Sequence, residues 1–306
     1  MTSTIPEPAP PTSTEAALAA GSAERRAKRR RRFRLSPTLP LLVLGAFVML
    51  AVFAPIFTKY SPIQNDLINS LIPPVWVHGG SAEHLLGTDS FGRDVFTRLA
   101  YGARVSLSVA LFALCIAIAV GTTVGMIAGF VGGALDSVLM RLTDVILSLP
   151  NMVVALVLAI AVGPSFRNLV LVLGFLIWPR IARLIRGETM LLKKMDFVRY
   201  AEAIGVSRTA AMARHVFHNI LPTLLVAATL EVGAVILAEA AISFLGAGVP
   251  PPAASWGVMI SDGEALVSTG WWISMVPGIA IALVVLSSNA FGDWLRDKLD
   301  PKTQRF

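Results

Sequence analysis

Few residues in this chain are of types that make or break bonds, and their spacing argues against a catalytic cluster. Cys115 is the only cysteine and lies inside a long apolar run, so an internal disulfide is excluded and the thiol reads as a small apolar side chain. His78, His84, His215 and His218 all fall outside the apolar runs. No Cys/His spacing suits a zinc site, and no metal site is expected. No nucleophile, histidine and acid fall in a plausible cluster, and the G-x-x-x-x-G-K-[ST] loop that cradles nucleotide phosphates is missing from the sequence. This chain is expected to bind no cofactor of its own.

Two groups of charged residues remain. In GTDSFGRD, residues 87–94, Asp89, Arg93 and Asp94 are close enough in sequence to form a local ion-paired turn, with Gly92 as its flexible point and Gly87 and Thr88 completing the motif. This reads first as a structured loop leading into a short interfacial helix, and second as a substrate contact. Glu231 and Glu239 lie within an apolar run, where a carboxylate is costly and faces protein or water. Their separation by eight places them within about 80° of each other on a helix, so both can face a neighbouring helix or a water-filled pathway.

The elements that must position these groups are apolar. Mean hydropathy is +0.70 and 55% of residues are hydrophobic, well above the share in an ordinary soluble domain. Several uncharged runs reach the roughly 20 residues that a bilayer requires. They are continuous rather than alternating, so the fold class is an all-α integral membrane protein and not a barrel. Six transmembrane helices are expected. The first lies in 35–58, bounded for domain purposes as 39–58. Residues 105–135 contain the second and a turn at Gly129, Gly132 and Gly133. The third is 145–166 with a bend at Pro150, and the fourth is 168–186. The fifth is 223–245, and the sixth is 271–291 with a bend at Pro277. Gly121, Gly125 and Gly129, four apart, predict close approach of a neighbouring helix. Residues 246–270 hold Pro250, Pro251 and Pro252 and read as an outer loop that is not helical throughout.

Residues 1–38 form an N-terminal segment rich in Pro, Ser, Thr and Ala and then in Arg, expected to be disordered. Its basic stretch, 25–34, is an orientation signal or, less simply, a patch for anionic membrane lipid. The net charge of +7 therefore fits the positive-inside rule better than nucleic acid, and no nucleic-acid partner is expected. Lys and Arg concentrate in 25–34, 180–214 and 296–305. Only Lys59, Arg93, Arg98, Arg104 and Arg167 fall in segments read as external. Both termini, with the tail 296–306, are thus placed in the cytoplasm, and 59–102 outside.

Residues 187–222, between the fourth and fifth spans, are polar and basic. A helix over 190–205 puts Leu191, Met195 and Val198 on one stripe, joined by Leu192 and Ala201. Gly205 ends it as a C-terminal glycine, and Ser207 can cap a second helix over 208–218. Two short helices with a glycine elbow make a stiff knob on the inner face. An ordinary interfacial loop is the alternative.

The segment before and after Gly205, with an Ala-rich helix preceding it and Arg214, His215 and Asn219 following, resembles the EAA loop of bacterial ABC importer permeases. SFLGAGVPPPAASWGVMISDG (243–263) and LGTDSFGRDVFTRLAYGARVSL (86–107) resemble the C-type permease subunit of dipeptide, oligopeptide and nickel importers, as does FGDWLRDKLDP (291–301). The likeness spans about residues 35–301. It implies a type I ABC importer permease fold: a five-helix core over 103–295 with a cytoplasmic EAA coupling loop. On the residues matching that loop it implies a coupling role for Asp196, Arg199, Tyr200, Ala201, Glu202, Ala203, Gly205, Ser207, His215 and Asn219. The loop departs from the family pattern in three places. Arg199 stands where the motif's acid is usual, Glu202 stands where a base is common, and His218 replaces an expected proline, with Pro222 four residues on.

The resemblance further implies a non-catalytic permease in the bacterial inner (plasma) membrane, paired with a homologous second permease subunit. Two ABC ATPase subunits would bind the ATP and Mg, and an external substrate-binding protein would deliver the solute. Di- or oligopeptides are the expected cargo, with a nickel or metal complex as the alternative. An ion-coupled secondary transporter using Glu231 and Glu239, and a membrane scaffold that only recruits a soluble protein, are the rival readings.

Overall fold

The computed structural model describes residues 37–299, and the described residues are helical, with no strand beyond one isolated bridge between Thr88 and Asp94. The expectations for residues 1–36 and 300–306, including the basic stretch, lie outside the described residues. In chain order the principal helices are α1 (Thr38–Val52), α2 (Val95–Val131), α3 (Gly133–Ser148), α4 (Asn151–Val162), α5 (Phe166–Leu192), α6 (Asp196–Ala203), α7 (Arg208–Phe244), α8 (Trp256–Glu264) and α9 (Trp272–Leu299). Side-chain caps start four of them, Ser207 capping α7. Asp94 accepts from the Thr97 N–H at 2.7 Å, Ser165 from Asn168 at 3.1 Å and Ser255 from Val258 at 3.4 Å, each filling a donor that the first turn leaves open.

The most extensive pair is α2 against α5, and small residues set it. A Cβ on Gly121 would meet the Trp178 carbonyl and Ile181. On Gly125 it would meet the Ala182 carbonyl, and on Gly129 the Arg186 carbonyl and Thr189. The two backbones are therefore in contact along the Gly-x-x-x-Gly-x-x-x-Gly stripe, as its spacing predicts. Gly129 is inside this contact and not in a turn. α2 runs on to Val131 and reverses at Gly132 and Gly133, whose φ values of +75° and +65° favour glycine.

Four helices, α2, α5, α7 and α9, are long and apolar enough to cross a bilayer. α3 and α4 make a fifth candidate only as a pair, bent by 90°. The expected first span is interrupted: α1 covers 15 residues and stops at Val52, and a separate turn, Ala54–Phe57, follows with Pro55 in its first positions. Proline lacks the donor that a continuing helix needs and restricts the residue before it. The break at Leu149 and Pro150 has the same cause. In contrast, Pro179, Pro222 and Pro277 sit inside helices, as membrane helices tolerate where neighbours satisfy the freed carbonyls.

Two helices extend past their expected ends. α5 continues to Leu192, and α9 continues through Trp294 to Leu299 into the expected tail. The stretch after Asp94 is not a short interfacial helix but the first turns of α2. The segment 246–270, expected as an outer loop, contains α8, packed on α7, α9 and α2. Trp256 anchors it, fully buried, with its indole N–H donating to the Leu99 carbonyl at 3.1 Å and Phe47 edge-on at 5.5 Å. Cys115, expected to be an inert apolar side chain in an apolar run, faces outward from α2.

Candidate functional site

The GTDSFGRD segment is a buried electrostatic knot. Thr88 is fully buried. Its hydroxyl donates to the Asn69 carbonyl at 2.6 Å and accepts from the Ile72 N–H at 2.8 Å, while its carbonyl accepts from the Trp272 indole at 2.9 Å. Asp89, also fully buried, uses one oxygen to accept from the Phe91 and Arg93 N–H groups. The other accepts from Arg93 Nε at 2.7 Å and Arg98 Nη1 at 2.6 Å. Gly92, at φ +72°, makes the bend, and a Cβ there would run into the Asp66 backbone. At Gly87, φ +80°, a Cβ would meet the Ile72 carbonyl and the Trp272 ring.

The knot does not end within the motif. Arg93 and Arg98 both donate to Asp262 Oδ2 on α8, at 3.2 and 2.7 Å. Asp94 caps α2 and accepts from or shares a proton with His84 Nδ1 at 3.0 Å. The local turn foreseen among Asp89, Arg93 and Asp94 is thus present for Asp89 and Arg93, whereas Asp94 turns to His84. Arg98, Asp262 and His84 escaped sequence reasoning. Arg98 had a signal, as a cation among apolar neighbours that must find a counter-ion if buried. Asp262 lies too far along the chain for spacing to find it.

At the C-terminal end of α5 the polar segment is not built as two separate short helices. α5 ends at Leu192, a turn at 193–195 intervenes, and α6 covers Asp196–Ala203. This break shifts the register of the expected stripe. Val198 and Ala201 are buried, while Leu191 and Met195 are exposed. Arg199, Ala203 and the large ring of Tyr200 face outward, as does Asp196; the Glu202 side chain lies outside the described residues.

Gly205, at φ +93°, closes α6, and the Val206 N–H reaches back to the Ala201 carbonyl at 3.0 Å, the bonding of a Schellman end. Ser207 then caps the next helix, accepting from Ala210 at 3.4 Å. That helix is not a separate second piece. Through a π-helical stretch, Ala211–Val216, it is the beginning of α7. Asn219 donates to the His215 carbonyl at 2.6 Å on this same helix.

The two carboxylates in α7 differ. Glu239 is fully buried, accepts from Ser243 at 2.7 Å, and has Ser106 of α2 and Ser255 of the α8 cap beside it. It faces neighbouring helices of its own chain. Glu231 is partly exposed and lies 3.8 Å from Arg180 of α5. Among the described residues no group of three or more His, Cys, Asp or Glu is arranged to hold a metal ion.

Residues 121–305 match the family described as binding-protein-dependent transport system inner membrane component. The chain is 43% identical over 265 residues to the dipeptide transport system permease protein DppC of Escherichia coli (strain K12), covering 87% of this chain and 88% of that protein. It is 37% identical over 262 residues to a protein of the same name from Alkalihalophilus pseudofirmus, covering 86% and 84%. It is 38% identical over 278 residues to a putative peptide transport system permease protein of Brucella suis, covering 91% and 90%. With helices apolar enough to span a membrane, motifs at both ends of the core and this likeness along most of its length, the chain belongs to the family of binding-protein-dependent transport system inner membrane components.

Proposed function

We propose that this chain is one of two homologous permease subunits of an ATP-driven importer for di- or oligopeptides in the bacterial inner membrane. The observation that carries the reading is the 43% identity, sustained over most of both chains, to a dipeptide transport permease. Six membrane passes, both termini inside and an EAA-type coupling loop over 187–222 complete it. α1 with its following turn, and α4 with the residues flanking it, supply the passes that single long helices do not.

In this reading ATP and Mg bind to two partner ATPases, and an external binding protein presents the solute. The chain's own part is mechanical. α6 presents Arg199 and Tyr200 on its outer side, while Val198 and Ala201 seat it. It is joined to α5 by a short turn and to α7 by the Gly205 elbow. A push on α6 therefore passes into two spans through stiff connections, a rigid-body switch of the kind that opens a pathway first to one side and then to the other. At the outer end the Asp89–Arg98–Asp262 knot holds the start of α2 to α8, so the two move as one piece.

The test is uptake of labelled di-, tri- and longer peptides by cells lacking the gene, with and without this chain. Restored uptake of one peptide class that requires the ATPases supports the proposal. Restored uptake of a nickel complex with no peptide uptake would replace the cargo, and uptake without the ATPases would replace the mechanism.

A further inference from the structure

Helix α3 is amphipathic in an unusual direction. Leu135, Val138, Leu142, Val145 and Leu149 recur at intervals of three and four and are all 44–64% exposed, forming one continuous outward stripe. A second side, beside the stripe, is held by the protein. Thr143 and Ile146 are buried, Arg186 of α5 grips Asp136 with a two-pronged contact at 2.5 and 2.7 Å, and Arg183 reaches Asp144 at 2.6 Å. Between the two sides lies a polar edge with Ser137, Asp144 and Arg141. Arg141 is exposed and has no ion-pair partner among the described residues.

The orientation follows from the same contacts. Asp136 and Asp144 are separated by about 12 Å along α3 at 1.5 Å per residue, yet their partners Arg186 and Arg183 are separated by only about 4.5 Å along α5. Spacings so unequal fit a crossing of the two axes, and α3 is bent by 90° from α4. Its depth is fixed as well. It begins at the glycine reversal where α2 ends, where Lys193 reaches the Phe130 carbonyl at 2.5 Å. It also lies against the part of α5 that carries Arg183 and Arg186. That many cations belong at a membrane surface and not in the hydrocarbon.

We infer that α3 is an interfacial helix lying along the inner membrane surface, with its Leu/Val stripe in the acyl boundary and Arg141 on the phosphates of anionic lipid headgroups. Three neighbours then account for its circumference: α5 on one side, water at Ser137, and lipid on the stripe. A helix so placed is a membrane-surface anchor one glycine turn from α2 and two ion pairs from α5. It ties the basic end of α5 to the plane of the bilayer. The assignment goes beyond the importer reading and does not depend on the solute carried.

The test uses the assembled transporter in vesicles of phosphatidylethanolamine with phosphatidylglycerol, in a Cys115→Ala background. Val138→Cys, Leu142→Cys and Ser137→Cys are labelled one at a time with bimane, and lipids brominated near the headgroup or near the chain end serve as quenchers. Loss of most of the emission at 138 and 142 to shallow bromines, little loss to deep ones, and no lipid quenching at 137 is the expected result. Deep quenching at 138 and 142 would make α3 an ordinary span. No lipid quenching at either site, with emission changing only when a partner subunit is left out, would make the stripe a protein interface. Either outcome overturns the inference and leaves the importer reading standing. With Arg141→Gln, shallow quenching at 138 should lose its dependence on the phosphatidylglycerol fraction. An unchanged dependence would remove Arg141 from the lipid contact.

Discussion

Arg98, in the first turn of α2, donates to Asp262 on α8 at 2.7 Å, and its other arm holds Asp89 at 2.6 Å. This pairing spans more than half of the chain. It means that the GTDSFGRD loop, the start of α2 and helix α8 share one charge cluster.

Arg98 and Asp89 are both buried, and removing Arg98 leaves Asp89 with Arg93 alone and the cluster one cation short. Arg98→Leu is expected to destabilise the protein by on the order of 3 kcal/mol. Asp262→Asn, at a partly exposed position, should cost about 1 kcal/mol. Thermal unfolding of the purified subunit measures both, and equal small effects would show that the knot is not a structural tie.

The α2–α5 contact makes a sharper contrast between two glycines. Gly125→Ala should cost about 1–3 kcal/mol through overpacking, since its Cβ would press on the Ala182 carbonyl. Gly187→Ala, where a Cβ meets open space, should be neutral or slightly stabilising through helix propensity. The comparison of their unfolding temperatures checks the geometry of the pair.

At Gly205 the space around a Cβ is open and the constraint is φ alone. Gly205→Val should therefore strain the elbow by about 1–2 kcal/mol, with Gly205→Asn milder because asparagine visits the left-handed region. The expected outcome is normal insertion, continued ATP hydrolysis by the complex and reduced uptake, in that order of severity. Normal uptake by Gly205→Val would take the elbow out of the mechanism.

Ile204 is 82% exposed next to that elbow. With Cys115 replaced, Ile204→Cys should react with an impermeant maleimide only from the cytoplasmic side of oriented vesicles. Reaction from outside would invert the proposed topology.

Local rules carried much of the fold. The glycine stripe, the Gly205 end, the Ser207 cap and the Pro150 bend follow from residue type and spacing, because each acts within a turn or along one helix face. Hydropathy located the apolar runs but not the helix ends. α5 and α9 overrun into charged sequence because a helix ends where its caps end, not where a membrane does. The first span divides at Pro55 for a reason visible in sequence but outweighed there by its apolar length. At the outer site, Asp89 and Arg93 were legible as near neighbours. Their link through Arg98 to Asp262 was not, since nothing local to Asp262 reports a contact with residues near position 90. Likewise Leu191 and Met195 left their expected stripe because the turn at 193–195 reset the helical register.

The central claim is that this chain is a gate moved by partner ATPases. The most direct measurement is transport by the purified chain in vesicles, first alone under an ion gradient, then with the second permease, the ATPases, the binding protein and ATP. The account predicts no solute movement in the first case and ATP-dependent peptide accumulation in the second. Solute movement by the chain alone, driven by the gradient, would contradict it.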